Sequence, residues 1–201
     1  MTDLPPTPPR GIDIARVQAA VLELLEAIGD DPRRAGLTDT PRRVAEMYGE
    51  FFSGLGVDAA DLVARSAVPA APGELGDVIV VRDIEFRSVC EHHLLPFLGV
   101  AHVAYSPAEV IIGLGTIPRL IDAVASRPQI QERLGEEIAD ALVAGLSPAG
   151  VLVVLDASHG CVTSRGSRQA RSTTVTLASR GTFDTTAGRA EALALIGSPR
   201  L

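Results

Sequence analysis

The sequence predicts an α+β fold with a helical N-terminal extension, and three observations lead to this prediction. Two segments rich in β-branched residues are followed by two helical patterns and then by two further strand-like segments. Before these segments, apolar residues recur at helical spacing instead. The chain has 201 residues, of which 46% are hydrophobic, and this is enough to bury one good core. We therefore expect an arm, helical extension and linker over residues 1–75, and an α+β domain with a C-terminal helix over residues 76–201.

The N-terminal part predicts two helices between a loose arm and a linker. Residues 1–11 are rich in proline and predict a disordered or loosely attached arm. Over residues 12–30, apolar residues at three- and four-residue spacing predict the first helix. In the second helix, we expect Thr40 to cap the backbone donors and Pro41 to take the first helical position. Residues 57–76, rich in Ala, Pro and Gly, are interpreted as the linker.

The α+β domain is predicted from its order of strands and helices. Two strands, two helices and two strands predict a four-stranded antiparallel sheet with both helices between the strand pairs. A short amphipathic helix follows the last strand. The segments, in chain order, are strands at 77–89 and 99–107, helices within 116–146, strands at 150–162 and 169–180, and a helix at 185–197.

Composition and charge limit the classes of partner. The chain carries 18 Lys and Arg against 25 Asp and Glu, a formal net charge of −7, without a marked basic cluster. A nucleic-acid partner is therefore not expected, because binding phosphates needs a basic face. The start has neither the positive patch nor the apolar run of a secretory signal, and no segment has the length of a membrane span. We expect a soluble cytoplasmic protein with reduced cysteines and no membrane partner.

Cysteine and histidine concentrate in two short segments, SVCEHHLLPFLG at 88–99 and HGC at 159–161. The first has Cys90 and His93 in a Cys-x-x-His spacing, so one loop can offer a thiolate and an imidazole to one ion. The second offers Cys161 from a distant strand end. Two thiolates and an imidazole suit Zn²⁺, and three protein ligands leave a position open for water, which is typical of catalytic zinc.

The remaining histidines suggest how such a site would work. A zinc ion lowers the pKa of bound water to about 7, and His92 and His159, beside the predicted ligands, would then move protons. Two alternatives stay open: a closed structural zinc site with His92 or His159 as fourth ligand, and a disulfide between Cys90 and Cys161. His102 stands alone in a predicted strand and is expected to be structural.

Four blocks of the sequence together resemble the GTP cyclohydrolase I family. They are TPRRVAEMY, VCEHHLLPFLGVAHVAYSP, RPQIQERL and HGCVTSRG, and they occur in the family's order with compatible spacing. The resemblance implies a zinc enzyme of folate or pterin biosynthesis that opens the imidazole ring of GTP's guanine, releases formate and forms dihydroneopterin triphosphate. It also implies the tunnelling fold, in which four-stranded units assemble into barrels that stack as a homodecamer with active sites between subunits.

The resemblance also assigns roles to residues of the proposed metal site. Cys90, His93 and Cys161 match the zinc ligands of the family. His92 and His159 match residues that donate and accept protons during ring hydrolysis. These implied roles agree with the interpretation based on the residues alone.

Further matches concern substrate binding. Glu132 matches the glutamate that binds the guanine edge in the family, with Gln131 beside it. A carboxylate suits this role because it can accept hydrogen bonds from two neighbouring N–H donors of the guanine. Without the resemblance, Glu132 would be interpreted as one more charge on a solvated helix. Basic residues at positions that hold the triphosphate in the family are Arg43, Arg119 and Arg165, with Arg168 nearby.

The chain departs from the family at other phosphate-binding positions. Gly115 and Thr116 replace a serine and a lysine, and Glu46 occupies a basic position. Each lost contact to a charged group is worth about 1.5 to 3 kcal/mol. The leading hypothesis is a GTP cyclohydrolase I in which the remaining arginines suffice. The alternatives are the same zinc chemistry on a less phosphorylated or modified purine, and a zinc-stabilised protein that binds a purine without turnover.

Overall fold

The computed structural model describes residues 11–70 and 78–197. The described residues form two compact units, one within residues 1–56 and the other within residues 57–201. The predicted arm of residues 1–11 lies outside the described residues except for Gly11. The predicted division into functional parts between residues 75 and 76 stays a prediction.

The first unit contains two helices that pack against each other, α1 (Ile14–Ala27) and α2 (Thr40–Phe51). Asp13 caps α1, because its side chain accepts a hydrogen bond from the Arg16 N–H. The predicted Thr40 cap is wrong: Asp39 is the N-cap residue, and its side chain makes no capping bond. The reason is a preceding turn, in which the Thr40 N–H donates to Leu37 O at 2.9 Å and gives Thr40 helical geometry.

The second unit begins with α3 (Ala59–Ala64) and β1 (Ala67–Pro69). The linker interpretation is therefore wrong for the described part of residues 57–76. Asp58 caps α3, and Val63 is fully buried where α3 packs against the long helix α5 (Gln131–Leu146). The contact is close, because a Cβ added at Gly145 of α5 would lie 2.5 Å from Val63 Cγ1.

The main sheet confirms the predicted order of two strands, two helices and two strands. Its long strands are β2 (Ile79–Cys90), β3 (Pro96–Ser106), β6 (Gly150–His159) and β7 (Thr174–Gly181), all paired antiparallel. The short strand β5 (Pro128–Gln129) adds parallel to β2, which gives the order β5-β2-β3-β6-β7. The remaining short strand β4 (Val110–Ile112) pairs with β1. The described structure is thus α+β as predicted, but the sheet is five-stranded and mixed rather than four-stranded and antiparallel, because β5 adds parallel to β2.

The helices α4 (Thr116–Ala125) and α5 cover one face of this sheet. Alternate residues of β6, from Val151 to Ala157, point into the core beneath them. On the opposite face, Leu152 and Val154 pack with Ala192 of the C-terminal helix α7 (Thr186–Ile196), which the sequence predicted. The one-turn helix α6 (Gly160–Thr163) directly follows β6.

A β-bulge in β2 explains the isolated histidine. The pairing of β2 with β3 shifts between Val81 and Ile84, where Asp83 has a φ of 57°. The Asp83 N–H donates to His102 Nδ1 at 3.1 Å, so His102 satisfies a backbone donor at the bulge. This bond agrees with the structural role predicted for His102. None of the helices described in residues 11–70 and 78–197 combines the length and apolarity needed to cross a membrane.

Candidate active site

Three potential metal ligands meet where β2 and β6 end. The ligand atoms of Cys90, His93 and Cys161 all lie within 4.8 Å of one another, and both cysteines are free thiols. Cys90 Sγ is 3.9 Å from His93 Nδ1. Ligands placed about 2.0 to 2.3 Å from one tetrahedral zinc ion lie about 3.5 to 3.8 Å apart, so the cluster fits such an ion with small movements. Two sulfurs and one imidazole nitrogen are the donor set that Zn²⁺ prefers.

A tight turn between β2 and β3 carries both adjacent histidines. The Cys90 N–H donates to Leu95 O at 2.9 Å, and the Leu94 N–H donates to Cys90 O at 2.8 Å. Leu94 closes the turn in the left-handed region, with a φ of 53°. His92 leaves the same turn, its side chain is 64% exposed, and its Nδ1 lies 3.9 Å from Cys90 Sγ. The turn therefore holds one predicted ligand and one predicted proton carrier beside the same thiol.

Cys161 reaches the cluster because β6 turns sharply into α6. A Cβ at Gly160 would lie 2.7 Å from Pro96 O, so this backbone passes too close to β3 for any side chain. Burial raises the pKa of the Cys161 thiol above its ordinary value, the neighbouring Cys90 raises it further, and the Arg165 charge opposes them. A cation between the two thiols would reverse this effect by favouring the thiolates.

His159 lies beside the cluster in a fixed orientation. Its Nε2 is 2.7 Å from Gln131 Oε1, and its ring stacks on Phe97 with 4.7 Å between the centroids and 8° between the planes. The stack follows from the strand register, because Phe97 of β3 is the direct partner of His159 on β6. Burial lowers the pKa of His159 below its ordinary value, whereas the nearby Glu132 charge raises it.

The predicted guanine-binding residues occupy the first turn of α5 and differ in exposure. Gln131 is only 1% exposed, and its Nε2 lies within hydrogen-bond distance of Leu155 O, Thr174 O and Thr176 Oγ1. Glu132 is exposed and within electrostatic reach of His159. Glu132 is thus accessible to a ligand, while both polar atoms of the Gln131 side chain are hydrogen-bonded within the protein.

Sequence reasoning missed an ion pair that ties the histidine turn to α5. Arg133 donates from Nη1 to Glu91 Oε2 at 2.6 Å and from Nη2 to Glu91 Oε1 at 3.0 Å, a bidentate pair. The Arg133 guanidinium holds the pKa of the Glu91 carboxyl below its ordinary value. In the sequence, this ion pair is indicated only by the positions of its members next to predicted site residues. Glu91 directly follows Cys90, and Arg133 directly follows Glu132. The stacking of Phe97 was also missed, because it depends on strand register.

The arginines of the second unit that are predicted to bind phosphate lie on two segments, α4 and the loop after α6. Arg119 of α4 donates from Nη2 to Thr116 Oγ1 at 3.0 Å and from Nε to Gly115 O at 3.3 Å. Gly115 and Thr116, the predicted departures from the family, therefore accept hydrogen bonds from Arg119. Arg165 and Arg168 lie in the exposed loop after α6, where the Arg168 N–H donates to Arg165 O at 3.2 Å.

The first unit holds the remaining phosphate-site candidate. Arg43 lies on α2 and is 3.5 Å from Asp39 Oδ2. Glu46, predicted to occupy a position of basic character, accepts two hydrogen bonds from Arg42 Nη1 at 2.8 and 2.9 Å. On α2, the Glu46 carboxylate is thus paired within the helix.

The described features define a class: an α+β protein with a candidate three-ligand metal centre flanked by histidines. The sequence model of the family GTP cyclohydrolase I matches residues 17–197. GTP cyclohydrolase 1 of Leifsonia xyli subsp. xyli is 60% identical over 187 residues, which cover 93% of this chain and 97% of that protein. GTP cyclohydrolase 1 of Caldanaerobacter subterraneus subsp. tengcongensis is 50% identical over 191 residues, or 94% and 100% of the two chains. The chain belongs to the GTP cyclohydrolase I family, as the sequence predicted.

The similarity to a solved structure is weaker. A crystal structure of the archaeosine synthase QueF-Like in the apo form matches with a TM-score of 0.45 and 15% identity, covering 56% of this chain and 97% of that chain. A similarity of this size has no bearing on function.

Proposed function

We propose that the protein is a GTP cyclohydrolase I, which opens the imidazole ring of the guanine of GTP by hydrolysis, releases formate and yields 7,8-dihydroneopterin triphosphate for folate or pterin synthesis. The observation that carries this proposal is the cluster of Cys90, His93 and Cys161 beside His159, in a chain of this family. We take Zn²⁺ as the metal, because two thiolates and one imidazole form a soft, three-ligand set with an open position.

The roles of the site residues follow from their exposure and chemistry. Cys90, His93 and Cys161 would hold the zinc ion, which when bound would lower the pKa of a water molecule and so make it available as the nucleophile. Glu132, exposed in the first turn of α5, accepts hydrogen bonds from two N–H donors of the guanine and so orients the ring. His159 exchanges a proton with the ring that opens, and burial favours its neutral form, which can accept that proton. His92, exposed on the histidine turn, assists the second hydrolysis that releases formate.

Arg119 and Arg165 of the second unit are proposed to bind the triphosphate, and Arg43 is kept as a separate candidate phosphate contact on the ground of the resemblance alone. One observation favours a second candidate, a less phosphorylated or modified purine as substrate. Thr116 and Glu46 stand where the family has cationic contacts, and Glu46 is already paired with Arg42. Fewer cations favour fewer phosphates, because each phosphate contact to a charged donor is worth about 1.5 to 3 kcal/mol.

The proposal also covers the fold topology, the oligomeric state and the location of the protein. We take the four long antiparallel strands with α4 and α5 as a tunnelling-fold unit, whose copies assemble into a homodecamer with active sites between subunits. The two free thiols suit a reducing compartment, so a cytoplasmic location is proposed.

The test compares substrates on zinc-loaded protein. GTP, GDP, GMP and guanosine are incubated separately, and formate release and pterin absorbance are followed for each. Strong preference for GTP supports the proposal and means that the remaining arginines hold the triphosphate. Preference for a less phosphorylated purine supports the second candidate. The proposal fails if the zinc-loaded protein turns over none of the four compounds, and a binding role without turnover then takes its place.

A further inference from the structure

We infer that Gln131 is a positioning residue for His159 rather than a contact of the substrate. Its side-chain amide holds the imidazole as the Nε2–H tautomer and leaves Nδ1 as the nitrogen that exchanges a proton with the substrate. The inference rests on the proposed function, because it assigns a role within the same site. It also replaces the expectation that Gln131 belongs, beside Glu132, to the substrate-binding residues.

The acceptors around Gln131 fix which way its amide points. Its Nε2 lies 3.0 Å from Leu155 O, 2.8 Å from Thr174 O and 3.1 Å from Thr176 Oγ1. Both carbonyl oxygens can only accept, so they require the NH₂ group of the amide on their side. The reverse orientation would press the amide oxygen against two carbonyl oxygens. The oxygen of Gln131 must therefore face His159.

This orientation determines the proton on His159. Gln131 Oε1 lies 2.7 Å from His159 Nε2, and an amide oxygen can only accept a hydrogen bond. Nε2 must therefore carry a hydrogen, and in the neutral ring Nδ1 then has the free lone pair. Because the amide is anchored to three protein atoms, it cannot easily rotate to serve the other tautomer.

A second contact fixes the plane of the ring. Phe97 stacks on His159 at a centroid distance of 4.7 Å and an angle of 8°, and Phe97 is itself 1% exposed. The stack limits tilting of the imidazole, while the bond from Nε2 to Gln131 limits rotation in the plane. Together, the two contacts hold Nδ1 in one direction, which is how an enzyme positions a proton-transfer group.

Burial argues against direct recognition of the substrate by Gln131. The residue is 1% exposed, and both polar atoms of its side chain are bonded to protein. Glu132, the next residue, is exposed and can meet a guanine. The two adjacent residues therefore have different roles. Glu132 binds the base, and Gln131 orients His159, which exchanges a proton with the base.

The first experiment compares Gln131→Met with Glu132→Gln in GTP turnover, after zinc content and circular dichroism have been matched to the parent protein. For Gln131→Met we expect kcat to fall about 10- to 100-fold, with KM for GTP within about threefold of the parent value. For Glu132→Gln we expect KM to rise at least about tenfold, because a charged contact to the base is lost. A KM increase in Gln131→Met as large as that in Glu132→Gln would overturn the inference.

The second experiment does not depend on turnover. Nitrogen-15 NMR of histidine-labelled, zinc-loaded protein at neutral pH reports which ring nitrogen of His159 is protonated, and His159→Asn identifies the signal. We expect a protonated Nε2 and an unprotonated Nδ1 in the parent protein, and a mixture of tautomers in Gln131→Met. A proton on Nδ1 in the parent protein would overturn the inference even if Gln131→Met does not fold. Absence of GTP turnover with the expected tautomer would reject the proposed function alone.

Discussion

At the scale of single residues, the proposed site depends most on Cys161, because this residue of α6 supplies the one ligand that is distant in sequence from Cys90 and His93. Replacing Cys161 with Ser removes a soft donor and leaves two ligands, too few for tight zinc binding. We expect zinc content, measured by atomic absorption after dialysis, to fall from about one ion per chain to near zero. Val162→Ala is the matched control, since Val162 is 37% exposed in the same turn. Full zinc content in Cys161→Ser would remove Cys161 from the ligand set.

The raised pKa of the Cys161 thiol also determines how metal affinity depends on pH. Burial and Cys90 raise the pKa of the Cys161 thiol, so it is protonated at neutral pH before metal binds. Because zinc binds the thiolate, binding releases this proton, and affinity must rise with pH while the free thiol stays protonated. We expect the apparent zinc affinity to fall at least about tenfold for each pH unit below neutrality, measured by competition with a chelator. An affinity independent of pH between about 6 and 8 would contradict thiol ligation.

At the scale of elements, the bidentate pair of Glu91 and Arg133 connects the histidine turn to the start of α5. We expect Arg133→Met to lower kcat about three- to tenfold without loss of zinc, because the turn with His92 is then less well oriented to α5. The change in Tm should be small, since the pair is exposed. Steady-state kinetics measures kcat, and thermal unfolding measures Tm.

Two variants make this prediction specific to the pair. The exchange Glu91→Arg with Arg133→Glu should recover part of the lost kcat, because it restores opposite charges. Arg65→Met removes an exposed pair with Asp61 on α3 and should leave kcat unchanged. If the control variant loses as much activity as Arg133→Met, the loss is not due to the connection between the turn and α5.

A second prediction at the scale of elements concerns Gly160, at the junction of β6 and α6. A Cβ at Gly160 would lie 2.7 Å from the backbone oxygen of Pro96, which cannot move without distorting β3. Gly160→Ala should cost about 1 to 3 kcal/mol of stability and shift Cys161 away from Cys90. Gly113→Ala is the control, because a Cβ there would lie 3.9 Å from Thr116 Oγ1, an ordinary contact distance. Denaturant unfolding and zinc content measure the two effects, and parental values of both in Gly160→Ala would show that the junction tolerates a side chain.

The main elements could be predicted from sequence because their patterns are long. The strands around the histidine turn and the helices α4 and α5 follow from β-branched runs and helical periodicity. The helix α3 could not be predicted, because it has six residues and only Val63 is buried, which gives no periodicity. The prediction that Thr40 caps α2 was wrong because a turn of the preceding residues determines where the helix begins.

Much of the candidate site could also be predicted, but not its supports. The Cys-x-x-His spacing predicted that Cys90 and His93 share one loop. The bond between Gln131 and His159 and the stack on Phe97 depend on the register of β3 with β6 and on how α5 packs over β6. Neither the register nor the packing leaves a local pattern in the sequence, so tertiary structure alone reveals these contacts.

At the scale of the whole molecule, a bound metal would join parts of the second unit that are distant in sequence. Its ligands lie at the end of β2, in the turn after β2 and just after β6, and the two strands are separated in the sheet by β3. A metal that binds the folded chain stabilises it in proportion to the logarithm of its concentration over Kd, about 4.1 kcal/mol at a thousandfold excess. For a unit of this size, we expect chelation to lower Tm by about 8 to 16 °C.

Scanning calorimetry of the zinc-loaded and chelated protein measures this shift, and Cys161→Ser supplies the control. The variant should unfold near the temperature of the chelated parent protein and should not respond to the chelator, because it cannot hold the ion. The transition of the second unit should also move back when zinc is restored, since binding to the folded state is reversible. An equal effect of chelator on Cys161→Ser and parent protein would mean that the stabilising metal binds elsewhere.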